Sequence, residues 1–163
     1  MDKVDPTTRS RIMASVGQKN TGPEMRLRSA LHKRGLRYRL HYRRLPGSPD
    51  IVLPKYRAVI FVHGCYWHRH GCYRSTTPKS RQEFWNEKFR ANMKRDERNT
   101  KQLLDLGWRV LIVWECALIG KTALEPEESA GRVILWLGGT DPRGDVAGKA
   151  VEKSSSNLPH GEG

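Results

Sequence analysis

Ala58-Val59-Ile60-Phe61-Val62-His63-Gly64-Cys65-Tyr66-Trp67-His68-Arg69-His70-Gly71-Cys72 is the stretch on which the reading of this chain turns. AVIFV is apolar without alternation, the pattern of a short strand covered on both faces. The residues from His63 to Cys72 then bring three histidines and two cysteines in quick succession, as an irregular loop leaving the strand. A buried strand that empties into a polar loop is a scaffold carrying a site.

Upstream, Asp50 to Leu53 reads as a second strand after the turn Leu45-Pro46-Gly47-Ser48-Pro49, and Arg37 to Tyr42 as a third, alternating basic with apolar or aromatic residues. Thr21-Gly22-Pro23-Glu24 opens a helix: Thr21 fits the N-cap, Pro23 the first turn, and Glu24 the far corner of a capping box. Met25, Leu27, Leu31 and Leu36 supply its apolar side, and Gly35 its stop. Downstream, Ser80 to Leu106 reads as a long helix with a Ser80/Glu83 capping box, an apolar stripe of Phe84, Phe89 and Met93, and Leu103, Leu104 and Leu106 at its buried end. Arg109 to Trp114 reads as a second buried strand, and Pro126 to Leu137 as a terminal helix carrying Val133, Ile134, Leu135 and Leu137. The order α-β-β-β-α-β-α predicts an α/β domain, a mixed sheet with helices on its faces. It spans residues 23–137, behind a basic arm (1–22) that holds Arg9, Arg11, Lys19 and a short helical pattern from Ile12 to Val16. Residues 138–163, rich in Gly, Lys and Ser, read as a disordered tail.

Composition narrows the function. The 163 residues carry 30 Lys and Arg against 17 acids, a net charge of +13, and 37% of them are hydrophobic. That suffices for one core and gives a surface that attracts polyanions, nucleic acid first among them. A membrane partner is not expected, because no run approaches the ~20 apolar residues of a span. Met1 to Ser10 is polar, and three cysteines, an odd count, fit a reducing compartment, so a cytoplasmic protein is expected.

Two constellations carry chemistry. Cys65, Cys72 and Cys116, the last just past the strand RVLIVW, supply three thiolates, and one imidazole would complete a Cys₃His set suited to zinc. His63, His68 and His70 compete for that fourth place, and three buried thiols are the simpler alternative. Asp50, at the mouth of its strand, suits Mg²⁺, with the main-chain carbonyl near Val62 as a second oxygen donor. His63 and His68 are the available bases for activating a water. Singly, each has an ordinary explanation: Asp50 as a turn residue, Glu24 as a cap, Asp96 as a solvated member of Lys94–Arg98. Tyr66, Trp67 and Trp85, set among basic residues, can stack on bases or wedge into a duplex, while Trp108 and Trp114 read as core.

Four segments, FVHGCYWHRHGC, LPGSPDIV, EFWNEKFRANMKRD and LGWRVLIVWECAL, together resemble the very short patch repair (Vsr) endonuclease family. The likeness runs from about Thr8 to near Leu137, with the motifs in the same order and spacing. It implies a restriction-endonuclease-like fold, a structural zinc and Mg²⁺-dependent DNA nicking. The implied target is the T:G mismatch left by deamination of 5-methylcytosine, cut on the 5′ side of the thymine. It further implies Cys65, His70, Cys72 and Cys116 as zinc ligands, and Asp50 with the Val62 carbonyl as magnesium ligands. His68 matches the general base; His63, Glu24 and Asp96 match residues that hold waters or neighbouring catalytic groups. Tyr66, Trp67 and Trp85 match aromatics that enter the duplex, and the arm with Arg9 and Arg11 a clamp on the DNA. A monomer is expected, with mismatch-repair proteins as further partners.

The chain departs from the family at Tyr66 and Val62, where Phe and Thr are usual, and at Arg69 and Gly71, where other members carry more histidines. It also lacks the D/E-x-K element of related nucleases. Two rival readings stand beside this one: a nuclease of the same fold with another DNA target, and a non-catalytic zinc-stabilised DNA-binding module.

Overall fold

Ala58–His63 (β3) and Arg109–Trp114 (β4) pair in parallel, Ile60 opposite Leu111 and Val62 opposite Val113. Parallel neighbours need a crossover, and the helix between them supplies it. The computed structural model describes residues 20–150. In chain order these form α1 (Gly22–Lys33), β1 (Arg39–Leu40), β2 (Ile51–Leu53), a 3₁₀ turn (Pro54–Tyr56), β3, α2 (Gln82–Asp105), β4, a second 3₁₀ turn (Glu115–Ala117), α3 (Pro126–Gly138) and β5 (Arg143–Val146). The strands lie in the order β1-β2-β3-β4-β5, a mixed sheet in which β1, β2 and β3 are antiparallel and β3, β4 and β5 parallel.

The two central strands are apolar from Ala58 to Val62 and from Val110 to Trp114 because both faces are covered. Ala58, Ile60, Leu111 and Val113 pack with Leu27 and Leu31 of α1 and Val133 and Leu137 of α3. Val59, Phe61 and Val110 turn the other way, toward Leu103 of α2. Leu111 is 1% exposed at the centre of the larger cluster. We expect Leu111→Ala to cost about 2–5 kcal/mol, read as a lower urea midpoint with an unchanged slope.

Several local expectations change. The strand expected over Arg37 to Tyr42 shrinks to two residues, because His41 takes a left-handed φ of 49° and its N–H donates to the Asp50 carbonyl at 3.2 Å. The Ser80/Glu83 box does not form; Arg81, at φ 53°, is the N-cap of α2 and makes no side-chain cap bond. Phe89 is buried, but Phe84, Met93, Leu106, Met25 and Leu135 are exposed, so the helix stripes are narrower than their apolar residues suggest. Trp108 is half-buried against the smaller cluster, whereas Trp114 stacks on His70, at 4.2 Å between ring centroids, and belongs to the site.

The largest correction concerns the C-terminal boundary. Residues expected to start a tail at 138 continue the domain, and Arg143–Val146 adds a parallel strand to β4. Arg109 fastens this return by donating to the carbonyls of Trp136, Leu137 and Asp141 at 2.7–3.0 Å. Gly144 lies under Trp136, where an added Cβ would come within 2.6 Å of the indole nitrogen. Arg9, Arg11 and Lys19, the Ile12–Val16 pattern and the last 13 residues (151–163) lie outside the described residues. Among the described residues, no helix is long and apolar enough to cross a membrane.

Candidate active site and metal centre

The antiparallel register of β2 on β3 sets Asp50 beside the end of β3, where one carboxylate oxygen accepts from the Val62 N–H at 2.7 Å. Burial pushes the Asp50 carboxyl up to about 7; the Val62 N–H opposes the rise, the charge of Glu24 adds to it, and His68 opposes it. Glu24, 2% exposed, is held at the start of α1. Its own N–H donates to Thr21 Oγ1 at 3.3 Å, the forward half of a capping box, but its carboxylate accepts from the Asn20 N–H at 2.9 Å rather than from Thr21.

Glu24 Oε1 meets His41 Nε2 at 3.0 Å, an ion-pair distance without hydrogen-bond alignment, so neither buried atom has a hydrogen-bond partner. His41 Nδ1 lies 3.9 Å from Asp50 Oδ1. Ligand atoms of Glu24, His41 and Asp50 therefore fall within 4.8 Å of one another. A buried carboxylate with an orphaned oxygen, facing a half-buried one, forms a donor set that fits a hard divalent cation. Sequence reasoning missed His41. It stands in a basic, aromatic-rich stretch with no motif around it, and only the turn at positive φ brings its ring to the carboxylates.

At the same end of β3, His63 and His68 stack with ring centroids 3.8 Å apart and planes within 5°. His68 Nδ1 lies 2.5 Å from Asp96 Oδ2, which α2 delivers from 28 residues away. This contact orients the imidazole and, with the proton on Nδ1, leaves Nε2 as the basic nitrogen. His63 differs. Burial, then the charge of His68, lowers it to about 3 against the pull of Asp96. Of the two candidate bases, His63 is held neutral and buried, and His68 has the partner and the exposure for proton transfer.

Cys65, His70, Cys72 and Cys116 converge with their ligand atoms within 4.8 Å of one another. His70 Nδ1 is 3.6 Å from Cys65 Sγ and 3.5 Å from Cys116 Sγ. A tetrahedron with zinc–sulfur and zinc–nitrogen bonds of ordinary length has an S···N edge of about 3.6 Å. The donor set therefore fits zinc in spacing as well as chemistry, and of the three competing histidines it is His70 that faces the thiols. Burial raises the Cys65 and Cys116 thiols and lowers His70, which keeps the imidazole neutral but means that a bound cation would have to offset the cost of forming the thiolates.

A cleft of about 370 Å³ lies between α1 and this loop, lined by Thr21, Pro23, Val62, Tyr66, Trp67 and His68. At its edge Tyr66 packs edge-on to Trp67 at 5.0 Å, Trp67 meets Trp85 at 6.1 Å, and Lys88 sits over both indoles. Arg69 braces the group: its guanidinium lies 4.2 Å from the Phe89 ring and donates to Tyr66 O, Ser75 O, Thr76 O and Thr77 Oγ1. A half-exposed aromatic ridge carrying positive charge suits stacking on bases beside a phosphate backbone.

Residues 1–74 match the family described as DNA mismatch endonuclease Vsr. The chain is 47% identical over 138 residues to the DNA mismatch endonuclease Vsr of Escherichia coli, covering 85% of this chain and 88% of that one. It is 50% identical over 124 residues to the type II nicking enzyme V.XorIIP of Xanthomonas oryzae, covering 76% and 91% respectively. Over 113 residues it is 44% identical to the type II nicking enzyme V.NmeAIP of Neisseria meningitidis, covering 69% and 81%.

Proposed function

The chain belongs to the DNA mismatch endonuclease Vsr family, and from that premise we propose that it is a Mg²⁺-dependent DNA nicking endonuclease acting 5′ of the thymine in a T:G mismatch. The observation that carries this reading is the meeting at one strand end of Asp50, bonded to the Val62 N–H, with the His68–Asp96 pair, beside a cleft edged by Tyr66 and Trp67. The sheet that aligns them is read as restriction-endonuclease-like.

In this mechanism Asp50 and the Val62 carbonyl would hold the cation, and Glu24 and His41, beside Asp50, would orient water. Mg²⁺ supplies Lewis-acid stabilisation of the charge that builds on the scissile phosphate. His68 accepts the proton of the attacking water at Nε2, and Asp96 fixes its tautomer and stabilises the imidazolium that results. His63, buried and neutral, backs the His68 ring and keeps it aimed. Tyr66, Trp67 and Trp85 stack against bases at the mismatch, and the net charge of +13, with Arg9 and Arg11 in the arm, grips the phosphates. Cys65, His70, Cys72 and Cys116 would hold zinc, whose part would be to keep the ridge rigid rather than to join the chemistry. One asymmetric mismatch calls for a single cut, which suits a monomer.

The test is a nicking assay on labelled duplexes with and without one T:G pair, each with Mg²⁺ or EDTA. Cleavage of the thymine strand alone, only at the mismatch and only with Mg²⁺, is expected. Equal cutting of matched duplex would point instead to another DNA target, and tight binding without cutting to a DNA-binding module.

A further inference from the structure

Beyond β5 the chain crosses the face of the Cys/His cluster. The Gly148 N–H points at Cys116 Sγ, 3.4 Å away. The next N–H, that of Lys149, donates to the Thr122 carbonyl at 2.8 Å. Thr122 is itself buried and donates its hydroxyl to the Cys116 carbonyl at 2.9 Å. Cys116 is thereby held at its carbonyl by Thr122 and at its sulfur by Gly148. No side chain fits at this crossing: a Cβ on Gly148 would meet Cys116 O at 2.4 Å, Thr122 Oγ1 at 2.6 Å and Thr122 O at 2.7 Å. Two of those atoms are backbone and cannot swing aside.

We propose that Gly148 is a positioning residue of the metal centre, and that residues 147–150 form a strap which closes the centre and slows exchange of its ion. The claim rests on the reading of the cluster as a zinc site. Three thiolates and a neutral imidazole around Zn²⁺ carry a net single negative charge, and a peptide N–H aimed at one sulfur offsets it. Hydrogen bonds of this kind to ligand atoms commonly govern metal affinity by 10–100-fold. Ala147 to Ala150 also form one wall of a cavity of about 450 Å³ that His70, Cys72 and Cys116 line from the other side, so the strap flanks the centre as well as touching Cys116.

The experiment compares the full chain with Gly148→Ala and with a chain ended after Val146, which keeps β5 and lacks the strap. Each is loaded with Zn²⁺, its metal content measured, and release followed with a chromogenic chelator. Release about tenfold or more faster in both variants is expected. In Co²⁺-loaded protein the thiolate-to-metal absorption band should also shift, since a sulfur loses its hydrogen bond; loosening of the fold elsewhere would not move it. If Gly148→Ala does not fold, the shortened chain alone decides. Release and spectrum unchanged from the full chain, with one zinc bound, overturn the inference and leave the zinc reading standing. A full chain that binds no zinc overturns both.

Discussion

Asp50→Asn is expected to lower the rate of T:G nicking roughly a thousandfold or more while leaving the protein folded. Removal of one preorganised charge-stabilising group typically costs about 10²–10³ in rate, and here the same group is the proposed anchor of the cation. Asparagine keeps an oxygen for the Val62 N–H, so the end of β3 is not disturbed. The variant should even gain stability in EDTA. Burial first, with Glu24's charge adding to it, raises the folded-state carboxyl from 3.8 to about 7, so folding favours its protonated form. That contribution is complete below about pH 4 and is lost as pH rises through about 7. Asparagine, which cannot ionise, escapes the loss. Urea unfolding in EDTA at two pH values reads this directly: the variant should lead the parent above about pH 7 by an amount on the order of a few kcal/mol, and the lead should shrink in acid. A variant that nicks at the parental rate would remove Asp50 from the mechanism.

The second large effect is on the fold. Stripping zinc with a strong chelator is expected to cost about 3–5 kcal/mol, a drop of roughly 10 °C in Tm, and added Zn²⁺ should restore it where Mg²⁺ does not. The four ligands explain the size. Cys65, His70 and Cys72 come from the loop after β3, and Cys116 from the turn after β4. An ion held there would close onto the sheet a loop that is also tied by Arg69, the Ser75 hydroxyl on Cys65 O, the Arg74–Glu115 pair and the His68–Asp96 contact. The two apolar clusters do not involve these ligands, so loss of zinc should loosen the loop rather than unfold the chain. Hydrogen exchange should show protection over residues 64–77 lost outright, while β3 and β4 stay protected up to the reduced global stability. A metal-free protein with the parental Tm would show that the cluster has no structural role.

Much of this was legible in sequence because it is local. The runs AVIFV and RVLIVW lack alternation, and strands without alternation are covered on both faces, as β3 and β4 are. Thr21 and Glu24 sit at cap spacing, and the cap bond forms. Three cysteines and the histidines of one loop announce a soft-metal set by residue type. Where local pattern and tertiary environment part, the pattern misleads: Phe84 and Met93 follow helical spacing but find no surface to cover them.

What residue type and spacing left open, and the family resemblance only implied, depends on contacts between distant residues. His70, rather than His63 or His68, joins the thiols because the loop folds its ring between Cys65 and Cys116. His68 differs from His63 because Asp96 reaches it from the far helix. His41 enters the site through one left-handed residue and the register of β1 on β2. The last strand forms because β4 has a free edge and Arg109 fastens the turn that returns to it, although RGDV by itself has no strand character. Residue types and periodicity thus determine which surfaces must be buried and which chemistry is available. Register, turn geometry and edge pairing determine which of the available groups meet, because hydrogen bonds and ion pairs act over a few ångströms whatever the separation along the chain.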